Sequence, residues 1–535
     1  MDKNSTYDYV VIGAGPAGLQ LGYFLEKAGH NYLILDATEV GSFFTKYPKN
    51  NKLISFNKVH SIYDDPEIQL RWDWNSLLTD DYDFLFRDYS KRLYPHSNEM
   101  LSYLKDFATR YSLNIQQKTK IVQVSKDNNG FFCLVDQNES VYICRCLIVA
   151  TGFSKPYIPD ILGIETVEEG YENVSMNPED FLGQKVLIIG KANSGFEIAD
   201  NILETASLVH LASPESVELA WQTRHPGHLR ADYTRIMDTY QLKLLNGTLD
   251  GTIEKIERRD KTFVITINYT HADSEVEELA YDRVIRCTGF KFDDSIFDDT
   301  CCPKLILNER LPAMTSMWES TNVPGLFFAG THMQARDFKK SSSAFIDGFR
   351  YNIRTLYHFI ESKYHQQPLP NNLVKASSTN LQKATMARIC RTSALWTQFG
   401  FLCDLIVVDE QKKQAQYYPE LPVDYIPDSP FGKSEHYYII TFEWGNWDGD
   451  VFAIDRHPSH DKSYTNVFLH PIVRRYTGGE LIATHHVLED LFGMYCYDGI
   501  ADVRQSISGR NLKQYHYEEH ERPLHDFFAK QLKEK

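Results

Sequence analysis

The chain has 535 residues, 42% hydrophobic and 24% charged, with a formal net charge of -16. That length exceeds what one hydrophobic core holds and implies two or three domains. The acidic balance disfavours phosphate backbones, so no nucleic-acid partner is expected, and no run approaches the roughly 18 apolar residues of a membrane span.

Met1 to Tyr9 is polar and carries no charged-then-apolar leader, so a cytoplasmic setting is expected. Tyr9 to Ile12 is a short apolar run that ends in glycine. Pro16 to Gly29 has apolar residues at Ala17, Leu21, Phe24, Leu25 and Ala28, which is helical spacing. Tyr32 to Leu35 predicts a second buried strand, with Asp36 at its end. The order β-α-β opens a doubly wound sheet. Between strand and helix stands Gly13-Ala14-Gly15-Pro16-Ala17-Gly18, a G-x-G-x-x-G. Its first glycine allows the tight turn, its second the approach of a pyrophosphate, and its third close helix packing. Asp36 follows Gly18 by eighteen residues, where a carboxylate can accept from the hydroxyls of an adenosine ribose.

Val40 to Ser112 is aromatic and mixed, with Trp72 and Trp74, and reads as loops and helices inserted on the first fold. Ile121 to Val135 and Val141 to Val149 predict strands. Cys144-x-Cys146 should point both thiols to one strand face. The nine cysteines include no C-x-x-C pair, which fits free thiols in a reducing compartment. Lys185 to Leu211 repeats the β-α-β pattern around Gly190-Lys191-Ala192-Asn193-Ser194-Gly195. Here Ala192 stands where the middle glycine belongs and adds a methyl group on the pyrophosphate side. Two strands, ending Ala150-Thr151-Gly152 and Cys287-Thr288-Gly289, leave room for a cofactor beside them.

Val323 to Gly330 returns as an apolar run, and the helix Ser343 to Phe359 should close the first domain. His365 to Asn372 reads as a linker. The segment 373–535 shows no glycine-rich signature and has aromatic strands such as Tyr437 to Trp444. His485-His486 has no nearby Cys or Glu cluster, so no metal site is expected. Arg224, His225, His228 and Arg230 cluster after the second fold; an anion site and a merely solvated loop both fit them.

The expected fold class is α/β: two Rossmann-like dinucleotide-binding domains, the second inserted in the first, plus a C-terminal α+β extension. The motifs GAGPAG at 13, ATG at 150, GKANSG at 190, CTGF at 287 and PGLFFAG at 324 resemble the flavin-containing monooxygenase superfamily over about residues 1–360. The segments GSFFTKYP at 41, KLISFNK at 52, WNSLL at 74, NPEDFLGQ at 177 and DTYQLK at 238 resemble the FAD-dependent oxidoreductase domain-containing proteins of the endoplasmic reticulum. The resemblance implies an FAD-binding domain over 1–165 and 323–362 and an NAD(P)-binding domain over 166–322; the extension, 373–535, lies beyond it and has no role assigned by the sequence, with covering the active site and forming a homodimer contact both open to it. It implies FAD on the loop Gly13, Ala14, Gly15, Pro16, Ala17 and Gly18 and on Asp36, with Val122, Thr151, Gly152 and Gly330 along it. NAD(P)H falls on Gly190, Ala192, Asn193, Ser194 and Gly195, beside Thr288 and Gly289. Asn57 is the expected catalytic amide at the reacting edge of the flavin. The superfamily's identifying sequence aligns on Ile161, Gly163, Val167 and Tyr171; its glycine and tyrosine are kept, its Phe and His are not.

The activity implied is an NAD(P)H-consuming monooxygenase. It would act with molecular oxygen, through a C4a-peroxyflavin, on a small-molecule nitrogen, sulfur or carbonyl centre. The alternative is a flavin reductase passing electrons to a protein or thiol acceptor. The region His210 to Glu215 offers no arginine for a 2′-phosphate and one acid, so NADH should serve at least as well as NADPH.

Overall fold

The computed structural model describes residues 4–153, 155–447, 449–457, 459–497, 509 and 511–534. Its first sheet has seven strands and is built outward from Asn4–Ile12. That strand lies parallel between Tyr32–Leu35 and Val141–Val149. The far edge of Val141–Val149 is shared by two partners. Its first half pairs antiparallel with Phe132–Asp136, and its last three residues pair parallel with Leu326–Phe328. The chain therefore leaves this sheet and comes back to it.

In between, six strands form a second sheet, with Lys185–Ile189 and Leu208–Ser213 at its parallel centre. Arg283–Arg286 closes one edge. The strand Gly247–Arg259 turns from a parallel partner of Leu208–Ser213 into an antiparallel partner of Thr262–Tyr269.

The first helix, Pro16–Lys27, starts with proline in its first turn, where no N–H is needed, and stops before Gly29 at φ 72°. The closing helix runs Ile346–His365, displaced from the expected Ser343 to Phe359. Its start is delayed because Ser343 N–H donates to Asp337 and Ser341 donates to Gln398. It then continues until Gln366 turns left-handed at φ 57°. The expected linker is an irregular connection over 366–371, running from the end of this helix to a strand, Asn372–Lys375, that begins the third sheet.

That third sheet has six antiparallel strands and spans 372–486. It does not form a separate core. Leu356 and Phe359 of the closing helix share one continuous cluster with Leu381, Leu405 and Ile440 of the extension. Ion pairs reinforce the seam: Glu420 accepts from Arg354 of the closing helix and is paired with Arg388, which also bonds Asp404. Burial pushes the Glu420 carboxyl up, but the two guanidinium groups outweigh it and hold the group at about 2.

Cys144 and Cys146 are both buried, but in different core clusters. The ladder between the two central strands lacks its pair at Asp8 and Arg145, and the alternation of faces shifts there. The expectation of a shared face is thereby corrected. Among the described residues, no helix is long and apolar enough to cross a membrane.

Candidate functional site

Both glycine loops have the backbone that their spacing predicts. Gly13 lies at φ 112°, and a Cβ there would stand 2.5 Å from Ala150 O. A Cβ on Gly18 would stand 1.9 Å from Gly13 O, so the helix packs against the loop through that missing side chain. Gly15 differs: an added Cβ meets nothing within 4 Å. The middle position borders open space at the N-terminus of a twelve-residue helix, which suits a phosphate. The second loop copies the two packing roles. A Cβ on Gly190 would meet Cys287 O at 2.3 Å, and one on Gly195 would meet Gly190 O at 2.4 Å. Ala192 is exposed, so its methyl group occupies the free side of that loop.

A cleft of about 530 Å³ opens beside the first loop. Gly15, Asp36, Thr151, Gly152 and Gly330 line it from the first fold, and Asn193, Ser194, Glu197 and Arg230 from the second. The inserted segment adds Phe43, Phe44 and Trp74, and the closing helix adds Ile346 and Phe349. Asp36 accepts from Ala14 N–H at 2.8 Å and from Thr38 N–H at 2.8 Å. A carboxylate has about four lone-pair sites, so acceptor capacity remains for a ribose. Gly330, at φ 75°, leaves only 2.7 Å between its own absent Cβ and that of Ala17. Thr151 Oγ1 lies 3.2 Å from His332 Nε2. Burial pushes that histidine down to about 3, so it is neutral.

Other expected residues stand elsewhere. Asn57 does not face the cleft; this corrects its expected place at a reacting edge. Its amide donates to Ser90 O at 2.9 Å and to Arg92 O at 3.2 Å, and its backbone pairs with Leu93 and Asp73. It ties stretches of the inserted segment together, two residues beyond Ser55, which lines the cleft with Trp74. Val122 is exposed on the outer strand Ile121–Lys126 and is not among the lining residues. Thr288 donates to Tyr157 O at 2.5 Å, and a Cβ on Gly289 would stand 2.8 Å from Arg310 Nη2; Phe290, just beyond them, reaches the cleft. Asn193 borders the cleft but is committed to the loop after the second fold. It donates to Gly227 O and His228 O and accepts from Arg230 N–H.

That loop divides the expected anion cluster. Arg230 is buried in the cleft wall over Phe56, 4.5 Å from the ring centroid, and over Trp74 at 5.3 Å. Such stacking of a desolvated guanidinium contributes about 1–2 kcal/mol. Arg224 turns the other way, 3.8 Å from the Trp447 ring centroid, and donates to Gly445 O. Burial pushes the His225 imidazole down to about 4. In the extension, His485 is buried against the Phe527 ring and His486 bonds His470, so neither faces the cleft.

Glu197 is the cleft residue that the motifs did not single out. It is 3% exposed, and burial raises its carboxyl above the ordinary range. It accepts from Tyr171 at 2.6 Å and from Asn50 N–H at 2.7 Å. Tyr171 in turn stacks on Tyr47, at 5.4 Å between centroids. Thus the tyrosine kept from the identifying sequence bridges the two folds. The kept glycine, Gly163, is required by contact, since a Cβ there would lie 1.9 Å from Ile256 O. The signal for Glu197 was present: it is an acid between Phe196 and Ile198 on the buried face of the helix Asn193–Ile202.

The model of the pyridine nucleotide-disulphide oxidoreductase family matches residues 10–330. The FAD-dependent oxidoreductase domain-containing protein 2 of Mus musculus is 38% identical over 507 residues, covering 88% of this chain and 76% of the relative. Among solved structures, a flavin-containing monooxygenase from Stenotrophomonas maltophilia is 21% identical. It superposes with a TM-score of 0.50 over 67% of this chain and 99% of its own. A bacillithiol disulfide reductase from Staphylococcus aureus, 17% identical, does so with a TM-score of 0.51 over 67% and 99%. Monooxygenase and reductase share this fold, so the fold by itself does not choose between them.

Proposed function

The chain belongs to the pyridine nucleotide-disulphide oxidoreductase family and is a flavin-dependent oxidoreductase that uses FAD and NAD(P)H; from that premise we propose that it is a monooxygenase acting on a small-molecule nitrogen, sulfur or carbonyl centre. The observation that carries this reading is the make-up of the cleft. Phe43, Phe44, Leu53, Ile54, Phe345 and Phe349 give it apolar walls, and no cysteine is among its lining residues. A relay that reduces disulfides through its own dithiol needs a cysteine pair in reach. An oxygenating site needs walls that keep water out.

When bound, FAD supplies hydride acceptance from NAD(P)H and reaction with oxygen. The chain's own residues hold and enclose it. The loop Gly13 to Gly18 and the helix N-terminus behind it receive the pyrophosphate, and Asp36 accepts from the ribose. Thr151, Gly152 and Gly330 give the ring system a wall without bulky side chains. Gly190, Ser194 and Gly195 receive NAD(P)H, and Arg230 offers the cleft a positive charge. Glu197, kept protonated more readily by its burial, holds Tyr171 within the second fold and accepts from Asn50 N–H across the gap between the folds.

Rapid mixing of the NAD(P)H-reduced, FAD-loaded protein with oxygen tests this, with a panel of amines, thioethers and ketones present. One oxygenated product per NAD(P)H consumed is the expected result. If all consumed NAD(P)H returns as hydrogen peroxide, and added thiol or protein acceptors are reduced instead, the protein is a reductase.

A further inference from the structure

A second group of chemically capable side chains lies away from the cleft. His30 follows the first helix and its terminal glycine, while Glu361 and His365 stand one turn apart at the end of the helix Ile346–His365. The donor atoms of the three all lie within 4.8 Å of one another. His30 Nε2 is 2.5 Å from Glu361 Oε1, and both side chains are 13% exposed. The two imidazoles face each other at 4.4 Å between centroids. Tyr9 OH lies 2.6 Å from His365 Nε2 and steadies that ring from the first strand. The sequence hid this group, because 331 residues separate His30 from Glu361.

We propose that His30, Glu361 and His365 form a site for one first-row divalent transition ion of the Zn²⁺ class. Two imidazoles and a carboxylate are the donor set such ions take, with water completing the shell. Calcium and magnesium prefer oxygen donors throughout. The place is electrostatically suited as well. Glu361 and His365 lie in the last turn of a twenty-residue helix, and that end of a helix favours a cation. The remaining exposure leaves a route in from solvent. Bonds of about 2.0–2.1 Å to a shared ion would draw the donors together by side-chain rotation.

The site would act on the fold and not on the chemistry. His30 precedes the strand Tyr32–Leu35, so it stands at the opposite end of the sheet from the glycine loop. The same helix that ends at His365 begins at Ile346, which lines the cleft. An ion here bolts the far end of that helix to the first fold.

The test uses the full-length, FAD-loaded protein, stripped with a chelator and dialysed against ZnCl₂. Bound zinc is counted by mass spectrometry, and thermal unfolding is followed with and without the ion. The expected result is one equivalent of zinc and a raised Tm, with the flavin spectrum unchanged. Glu361→Gln keeps the shape and should lose both effects, as should His365→Ala. Tyr9→Phe leaves the three ligands in place and should weaken zinc binding by about ten-fold through loss of the orienting bond. If His365→Ala fails to fold, Glu361→Gln and Tyr9→Phe still decide the matter. Zinc uptake by Glu361→Gln equal to that of the parent, or no uptake by the stripped parent, would overturn the assignment.

Discussion

Replacing Gly15 by alanine adds one methyl group where an ideal Cβ meets nothing within 4 Å. The backbone there is extended, at φ -79° and ψ -175°, and alanine adopts it without strain. Two small effects act on the apoprotein. A glycine-to-alanine change at a compatible site stabilises by about 0.4–1 kcal/mol through the unfolded chain. Gly15 is also the residue that caps the first helix, and alanine is a poorer cap by a similar amount. They offset, so the apoprotein should melt within a few degrees of the parent. The holoprotein should differ sharply. If a pyrophosphate sits over this position, the methyl group displaces it from backbone N–H donors. Each charge-assisted bond lost contributes about 1.5–3 kcal/mol, so loss of one raises the Kd for FAD by about 10- to 100-fold. Gly18→Ala is the contrasting variant. Its Cβ would lie 1.9 Å from Gly13 O, so it should destabilise the apoprotein itself. The assay is titration of apoprotein with FAD by quenching of flavin fluorescence, alongside melts with and without FAD. Two results refute the reasoning: a Gly15→Ala variant that binds FAD as tightly as the parent, or one whose apoprotein melts as low as Gly18→Ala.

Three further outcomes are expected. Ala192 occupies the matching place in the second loop, so Ala192→Gly should tighten NAD(P)H binding by about ten-fold, the worth of one backbone hydrogen bond; an unchanged Kd would mean the nucleotide does not approach there. NADH should be used at least as well as NADPH, because the region His210 to Glu215 offers no arginine to a 2′-phosphate and Arg224 lies over Trp447 and donates to Gly445 O; steady-state kcat/KM values favouring NADPH strongly would refute this. Glu420→Gln should cost about 1.5–3 kcal/mol, since it leaves the half-buried Arg354 and Arg388 with less charge to face. The folded carboxyl is held at about 2, below the ordinary 4.5. Its contribution is therefore complete above about pH 4.5 and is lost as pH falls toward 2, so the parent and variant melts should converge in acid.

The glycine loops were legible because their chemistry is local. Six residues specify the turn, and Gly18 and Gly195 pack against the first glycine of their own loops, while only the contacts of Gly13 with Ala150 and of Gly190 with Cys287 come from farther along the chain. Asn57 was not legible for the opposite reason. Its place in the chain correctly puts it in the inserted segment, but the amide direction depends on Ser90 and Arg92, more than thirty residues on. Cys144 and Cys146 failed likewise, through a missing ladder pair that no periodicity reveals. Arg230 was flagged only as one of four charged residues; its aromatic bed, Phe56 and Trp74, comes from a different part of the chain.

The extension carried no motif because what it does is not local chemistry. Trp74 belongs to the cleft wall, and the segment before and around it is held by two buried arginines. Arg350, on the closing helix, donates to Leu70 O, Asp73 O and Ser76 O. Arg71, from the segment itself, donates to Ile389 O, Cys390 O and Thr392 O, at the end of the helix Ser378–Arg391. A cation suits that end of a helix, and its carbonyls would otherwise lack partners. Arg71 also bonds Gly493 O and stacks over Trp396. Without the extension, a guanidinium now buried and fully engaged would lose its acceptors beside a cleft residue. The two dinucleotide folds and the extension are therefore joined through the segment that carries the cleft wall. The wall that would shield the reacting centre is fastened from residues beyond 373.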